Sequence, residues 1–370
     1  MSGIKLTIAK LRKEKGITQS QLAEYLGISF QSVSKWENGT TMPDINLLPK
    51  LSEYFQVSVD QILGIKPLSN REYRSRKTDS GEHWDDKLDY LKKSRIGFWN
   101  NDYLEFLVSK VWKIIEPIDI IDFGCGYGYL GMVLLPILPK GSTYTGVDIS
   151  DTLLEEAKSI FKYSKYVTKF IKSDVKDFNV HEKYDMAICQ AFLRHLTKPK
   201  DTLKKMVDSV IAGGMVVCIE VNRELENAGL YIKGTKYNPA NKTTIMKKLW
   251  KTELESEGRD YFIGMKIPFY MQEYGLRNID VRLNDKVNFI NPYSDKYLVE
   301  AFMKSNNWNK KLSDDHKENI IKLFMNRGLS RAEAEVYVES EEVIRKYFIE
   351  NYDNVFAIKA FGLLISYGVK

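Results

Sequence analysis

The sequence contains few of the residues that form disulfide frameworks and metal sites. Its 370 residues include only three cysteines and four histidines. Cys125, Cys189 and Cys218 stand far apart in apolar stretches, and no two histidines have the spacing of metal ligands. We therefore expect neither a disulfide framework nor a metal site. Cysteine usage of this kind is typical of a reducing compartment, which predicts a cytoplasmic location.

Long apolar runs and an N-terminal signal pattern are also lacking. No stretch is apolar for long enough to cross a bilayer, and the first residues, Met1 to Gly16, are polar and basic. We therefore expect no membrane association. The net charge of +6 is spread along the chain, so it permits nucleic-acid binding without indicating it. The length favours two domains.

Residues 1–67 have the apolar spacing of five short helices. Thr18 and Ser29 are predicted to cap the second and third helices, and Gly27 ends the second. Short helices with a tight turn between the second and third are typical of helix-turn-helix domains. The segment resembles the phage-repressor-like helix-turn-helix family at the following positions: Thr18-Gln19, Leu22-Ala23, Gly27, Val33-Ser34, Trp36-Glu37, Gly39 and Pro43.

This resemblance implies binding of double-stranded DNA through the third helix. It places Phe30, Gln31, Ser34 and Lys35 at base edges in the major groove, and Gln19 and Asn38 at phosphates. Repressor-like domains bind paired half-sites, which implies a homodimer. Two alternatives stay open, because the polar face could simply be solvated and some domains of this kind mediate protein interactions.

A segment dense in charge, 68–93, is predicted to be a linker, and 94–370 to be a second domain. A helix pair within 84–115 is expected to pack on the first strand of that domain or to cover its ligand pocket. Strands and helices then alternate, which predicts an α/β fold with a parallel sheet and helices on both faces. The expected strands are 118–123, 144–147, 168–172, 186–190 and 215–221, and the expected helices are 129–138, 151–161 and 202–211.

Informative residues stand at the ends of the first three strands, where parallel sheets bind ligands. Asp122 precedes glycines at 124, 126 and 128, a pattern that differs from the dinucleotide-binding motif and puts a carboxylate where a pyrophosphate would be repelled. Such a carboxylate suits a ligand with an ammonium group. Asp148 is placed to accept hydrogen bonds from ribose hydroxyls, and Asp174 from an adenine amino group.

An amino acid, a ribose and an adenine without phosphate describe S-adenosylmethionine. These three motifs, the fourth-strand segment 184–196 and the Ala212-Gly213-Gly214 turn into the fifth strand resemble the class I methyltransferases. That family is Rossmann-like, with a mostly parallel sheet and an antiparallel last strand. A nicotinamide site and a fold that binds nothing are the weaker alternatives. The resemblance implies these cofactor-binding residues: Asp122, Gly124, Cys125, Gly126, Gly128, Asp148, Ile149, Ser173, Asp174, Val175 and Gln190.

The C-terminal third is expected to supply the last helix, 264–274, and the final strands, 279–283 and 361–368. Insertions at about 224–259 and 292–354 are predicted to be helical and to close the pocket. That amount of inserted chain favours a small-molecule methyl acceptor.

A general base is needed only if the acceptor atom carries a proton. His195 is the first candidate for that role, and helix capping or packing is the alternative for it. Glu220 is the second candidate, and Arg223 could anchor an acidic substrate.

Three functions follow from these features. The first is a methyltransferase for a small molecule, with a DNA-binding domain for regulation or targeting. The second is a transcriptional regulator that uses the methyltransferase fold as a ligand or cofactor sensor. The third, weaker hypothesis is methylation of nucleic acid.

Overall fold

The computed structural model describes residues 6–55, 57–64, 88–235 and 239–370. The chain divides into two compact units, Met1–Arg74 with Asp315–Glu335, and Ser75–Asp314 with Val336–Lys370. Most of the predicted linker over 68–93 lies outside the described residues, but 88–93 begin a helix. The domain boundaries proposed from the sequence stay a prediction.

The N-terminal segment is all helical, as predicted. Its helices are α1 (Ile8–Glu14), α2 (Gln19–Leu26), α3 (Phe30–Glu37), α4 (Leu48–Phe55) and α5 (Val59–Ile62), with a 3₁₀ turn at Ile45–Leu47. Thr18 and Ser29 cap α2 and α3 through their side chains, and Gly27 ends α2 in the left-handed conformation. The capped ends leave three residues, 27–29, between the two helices.

The second unit contains a seven-stranded sheet in the order β3-β2-β1-β4-β5-β10-β7. Its strands are β1 (Asp119–Phe123), β2 (Thr143–Asp148), β3 (Val167–Lys172), β4 (Tyr184–Gln190), β5 (Val210–Val221), β7 (Arg277–Leu283) and β10 (Leu363–Val369). The first five are parallel, and β10 runs antiparallel to both of its neighbours. The predicted α/β class with an antiparallel last strand is confirmed. Strand order reverses between β1 and β4, which is where such sheets bind ligands.

Alternate residues of the strands pack on opposite faces of this sheet. Ile120 and Ile188 join an apolar cluster on one face, whereas Ile121 and Cys189 join a cluster on the other. Strands buried on both sides read as continuous apolar runs, which is why the sequence predicted them well.

Helices α6 (Leu88–Ile96) and α7 (Asn101–Phe106) precede β1, and a π-helical turn, Leu107–Val111, follows α7. The remaining helices are α8 (Tyr129–Leu134), α9 (Asp151–Phe161), α10 (Pro199–Ser209), α11 (Arg223–Ala228), α12 (Pro239–Glu257), α13 (Ile263–Glu273), α14 (Lys296–Ser305), α15 (Asp314–Asn326) and α16 (Arg331–Glu350). Both predicted insertions contain helices. In the part of the chain that the structure describes, no helix is long and apolar enough to span a membrane.

A second, three-stranded sheet was not predicted. It has the order β6-β9-β8, from β6 (Leu230–Ile232), β9 (Ala357–Ala360) and β8 (Val287–Ile290). Each strand is too short for a period to show in the sequence, so only their pairing in the fold defines them.

The predicted bounds of two helices were wrong for local reasons. The helix expected over 129–138 ends at Leu134, because Pro136 cannot donate the backbone hydrogen bond that would extend it. The helix expected over 202–211 spans Pro199–Ser209 instead, since β5 already begins at Val210. Pairing with β4 shifts between Val210 and Met215, so the predicted glycine turn at 212–214 is an irregularity within β5.

Candidate functional site

A cavity opens at the carboxyl ends of β1, β2 and β4. Its volume is about 900 Å³, including space open to solvent. The sequence-predicted residues that line it are Asp122, Gly124, Cys125, Gly126, Asp148, Ile149, Ser173, Asp174, Val175, Gln190 and His195. Predicted residues outside the lining are Gly128, Glu220 and Arg223.

Asp122, the penultimate residue of β1, is a buried carboxylate with one oxygen that lacks a partner among the described residues. Its Oδ2 accepts a hydrogen bond from the Tyr144 hydroxyl, while Oδ1 has no partner among the described residues. Burial raises the pKa of Asp122 to about 7, although the Tyr144 hydroxyl opposes the shift. A cationic donor in the cavity would satisfy Oδ1 and favour the ionised carboxylate.

The glycine loop after β1 is fastened to the end of β2. Gly124 and Cys125 donate backbone hydrogen bonds to the Val147 carbonyl, at 2.8 and 3.1 Å. Asp148 accepts from the backbone of Gly126 at 2.8 Å through Oδ2, and from that of Ser150 at 2.9 Å through Oδ1. The Asp148 carboxylate therefore fixes the loop, and the residue also lines the cavity.

Gly124 and Gly128 are required for different reasons. A Cβ at Gly124 would lie 2.2 Å from the Phe192 ring, so only glycine lets this ring close over the loop. Gly128 has φ of +80° at the N-terminus of α8, and a Cβ there would lie 3.1 Å from Phe161. Gly128 therefore allows the left-handed turn and the close packing of Phe161, and it does not line the cavity.

The walls beyond β3 and β4 are polar at defined positions. Gln190 ends β4 and accepts a hydrogen bond from the Trp99 indole at 3.0 Å through Oε1, which orients its amide. Asp174 Oδ1 accepts a hydrogen bond from the Lys176 backbone amide at 2.9 Å, within a tight turn. The other carboxylate oxygen, Oδ2, takes no part in this hydrogen bond. Val175 is buried beside that turn.

Glu220 is not placed as a base. It is fully buried, and its Oε1 accepts hydrogen bonds from the Phe192 and Leu193 backbone amides at 2.8 and 2.6 Å. Burial raises the pKa of this carboxyl, with Arg194 opposing the shift. The structure does not bring Glu220, the second candidate for a general base, into the cavity lining, because the end of β5 lies beneath the loop that follows β4. Glu220 positions this loop.

His195 lies on the cavity wall but among positive charges. Its Nε2 accepts a hydrogen bond from Arg194 Nε at 3.2 Å. Burial, and then the charges of Arg194, Arg223 and Arg259, hold the pKa of His195 well below its usual range. The imidazole is therefore neutral at pH 7 and a weak base.

Arg223 borders a second cavity rather than the first. It forms an ion pair with Glu226, whose other oxygen lies 3.5 Å from Lys359 Nζ. Burial opposes ionisation of Glu226, but Arg223 and Lys359 hold the pKa of Glu226 at about 2. The charge of Arg223 is thus already neutralised within the protein.

Several lining residues were not predicted individually. Leu91 and Arg95 of α6 and Tyr127 of the glycine loop face the same cavity, as does Phe192 after β4. The predicted helix before β1 does cover the pocket, and the i, i+4 spacing of Leu91 and Arg95 was the only signal for their shared face.

The predicted DNA-reading residues share one side of α3. Phe30, Gln31, Lys35 and Asn38 are exposed and Ser34 is half-buried, within an arc of roughly 140° around the helix. Val33 and Trp36 lie on the opposite side, in the core of the helical domain.

Gln19 is held by the domain itself. Its Nε2 donates to Glu37 at 2.7 Å, and Glu37 also receives two hydrogen bonds from Arg12, at 2.5 and 3.0 Å. Burial opposes ionisation of Glu37, but Arg12 and Gln19 lower the pKa of this carboxyl. Gln19 is therefore fixed at the start of α2.

Two family models match separate segments of the chain. Residues 8–62 match the helix-turn-helix family model, and residues 116–258 match a methyltransferase domain model. The chain therefore carries a helix-turn-helix domain followed by a methyltransferase domain.

Among the described residues, no group of three or more histidine, cysteine, aspartate or glutamate side chains could hold a metal ion.

Curated relatives match each part separately. The malonyl-(acyl-carrier protein) O-methyltransferase of Anoxybacillus flavithermus is 33% identical over 95 residues, which are 25% of this chain and 36% of that protein. The ubiquinone biosynthesis O-methyltransferase of Saccharophagus degradans is 28% identical over 120 residues, 32% of this chain and 50% of that protein. The HTH-type transcriptional activator BcrR of Enterococcus faecalis is 41% identical over 56 residues, 15% of this chain and 28% of that protein. The chain thus spans half or less of the length of each of these relatives.

Proposed function

We propose that the protein is an S-adenosylmethionine-dependent methyltransferase that acts on a small molecule and binds DNA through its N-terminal domain. The observation that carries the proposal is the set of three carboxylates, Asp122, Asp148 and Asp174, at the edge of one cavity in a methyltransferase domain. The regulatory or targeting role of the DNA-binding domain is part of the proposal.

The cavity fits the charges of this cofactor. Among the described residues Asp122 Oδ1 has no hydrogen-bond partner, which supports a role for it in accepting a hydrogen bond from the α-ammonium group. Asp148 would take the ribose hydroxyls and Asp174 the adenine amino group, with Ile149 and Val175 beside the ring. Ser173 and Gln190 complete the polar lining.

The bound cofactor would supply a methyl group already activated by its sulfonium. The protein's own contribution is to bring an acceptor into line and to exclude water. Gln190, oriented by Trp99, and Phe192, seated over Gly124, form the wall on the β4 side. His195 is neutral and weakly basic, so an acceptor that needs no strong base suits this site.

The experiment is to titrate S-adenosylmethionine into the full chain by calorimetry and to assay release of S-adenosylhomocysteine with a library of small acceptors. Binding plus turnover with a small molecule supports the proposal, and absence of binding contradicts it. Two of the relatives are named O-methyltransferases, so oxygen acceptors are tested first.

We further propose that the helix-turn-helix domain binds double-stranded DNA as a homodimer in the cytoplasm. The exposed side of α3, from Phe30 to Asn38, supports this role. Selection of DNA sites from a random library, followed by a mobility assay with one and two half-sites, tests the proposal. A complex that forms equally well on one half-site would contradict the dimer.

A further inference from the structure

A second chamber adjoins the first cavity. Its volume is about 500 Å³, including space open to solvent, and both cavities share Leu91, Arg95, Ala191 and His195 as lining. Its far wall includes Glu226 of α11 and Asn306 after α14, which belong to the two segments predicted to be insertions, and Lys359 of β9. The chamber therefore extends from the methyl-donor cavity into the insertions.

Cations predominate on the walls of this chamber. Arg95, Arg194, Arg223 and Lys359 line it, and Glu226 is the one acidic side chain in the described lining. Glu226 pairs with both Arg223 and Lys359. Lys359 also donates to Asn306, so these two cations are already engaged within the protein.

Arg194 is different. It is only 8% exposed, and its Nη1 has no hydrogen-bond partner in the described part of the chain. Its Nε is directed to His195, and the loop that carries both residues is fixed by Glu220. Ala191, at the start of this loop, has φ of +52°, a strained conformation for a residue with a Cβ and a feature that clusters at functional sites.

A buried guanidinium nitrogen without an acceptor is costly, so the fold leaves a position for an anionic oxygen here. The remaining lining mixes polar side chains, such as Ser94 and Asn306, with an apolar and aromatic part that includes Phe98 and Phe361. The Arg95 guanidinium lies 4.7 Å from the Phe98 ring. A ligand with one negative charge and an apolar body matches both properties.

We propose that this chamber binds the methyl acceptor, and that the acceptor is a small carboxylic acid whose carboxylate is held by Arg194. This inference rests on the proposed methyltransferase function. A dianionic phosphate fits less well, because Glu226 lies in the same wall and Arg194 offers the unpaired donor. Arg194 would be a binding residue, and Glu220 would act through it as a positioning residue.

The test is a binding measurement that needs no turnover. The ¹⁹F resonance of 4-fluorobenzoate is titrated with the full chain in the presence of S-adenosylhomocysteine, beside 4-fluorobenzamide as the neutral isostere. We expect the carboxylate to bind at least tenfold more tightly than the amide. Arg194→Gln should abolish this preference, whereas Arg277→Gln, an exposed arginine of β7, should leave it unchanged.

Calorimetric titration of S-adenosylhomocysteine into each variant separates the possible failures. Arg194→Gln should still bind it within about threefold of wild type, which shows that the variant is folded. Equal binding of carboxylate and amide, or an unchanged preference in Arg194→Gln, would overturn the inference while leaving the proposed function intact. Tighter binding of 4-fluorophenyl phosphate than of 4-fluorobenzoate would also overturn it. A wild-type chain that does not bind S-adenosylhomocysteine would instead contradict the proposed function.

Discussion

Substitution of Asp122 by asparagine should separate cofactor binding from stability. Asparagine keeps the size of the side chain and an oxygen that can accept from Tyr144, but it removes the negative charge. A hydrogen bond to a charged group contributes about 1.5–3 kcal/mol, and a buried charge that loses its partner costs about 2–5 kcal/mol. The affinity for S-adenosylmethionine should therefore fall by roughly 30-fold to more than 1,000-fold.

The same substitution should not destabilise the protein without cofactor. A folded pKa of about 7 compared with the ordinary 3.8 means that the folded state holds the proton more tightly than the unfolded chain. The ionised carboxylate therefore lowers stability progressively as pH rises from 3.8 to 7, by at most roughly 4 kcal/mol above that range. Asparagine removes this penalty and introduces a smaller desolvation cost of its own. At pH 8 the free variant should unfold at the same temperature as wild type or higher.

Calorimetry gives the dissociation constant, and thermal unfolding monitored by circular dichroism gives the stability. Asp119→Asn is the matched control, because it lies on the same strand but at the exposed opposite end. The control should bind the cofactor as wild type does. Asp122→Asn binding within fivefold of wild type would refute the assignment of the ammonium to this carboxylate.

Three further predictions concern the same sites and the DNA domain. Because burial raises the pKa of Asp122 to about 7, cofactor affinity measured by calorimetry should fall nearly tenfold per pH unit below that value, and a flat profile from pH 5 to 7 would contradict this. Glu220→Gln retains an acceptor for the Phe192 and Leu193 amides and should keep turnover near the wild-type rate. Glu220→Ala removes that acceptor and should lower the free energy of unfolding, measured by urea denaturation, by roughly 2–4 kcal/mol. Abolished turnover in Glu220→Gln would instead support a role for Glu220 as a base. Gln31→Ala should weaken binding to a selected DNA site by about 1–3 kcal/mol and leave binding to unrelated DNA unchanged, as measured by fluorescence anisotropy. Equal losses on the selected and the unrelated DNA would contradict base recognition by Gln31.

The sheet and the helical domain could be predicted from the sequence because their signals are local. Buried parallel strands such as β4 are continuous apolar runs, and Thr18, Gly27 and Ser29 mark helix ends through their own backbone chemistry. The carboxylates at the ends of β1 and β2 could be expected at one cavity because parallel strands end at the same edge.

The roles of Glu220, Arg194 and Arg223 could not be predicted in this way. The sequence suggested Glu220 as a base and Arg223 as a substrate anchor and did not single out Arg194, but hydrogen bonding decides which group is available to a ligand. Glu220 accepts hydrogen bonds from two backbone amides, and Arg223 forms an ion pair with Glu226. Arg194 Nη1, in contrast, has no hydrogen-bond partner among the described residues. The environments of Glu220 and Arg194 depend on the packing of the loop after β4, which has no local sequence signal, whereas Arg223 and Glu226 pair at i, i+3 within α11.

The most direct test is a crystal structure of the full chain with S-adenosylmethionine. The proposed function predicts the cofactor ammonium within hydrogen-bond distance of Asp122 Oδ1, its ribose at Asp148, and its methyl group directed toward the chamber that Arg194 lines. A cofactor bound elsewhere, or one with its methyl group directed away from that chamber, would contradict the account.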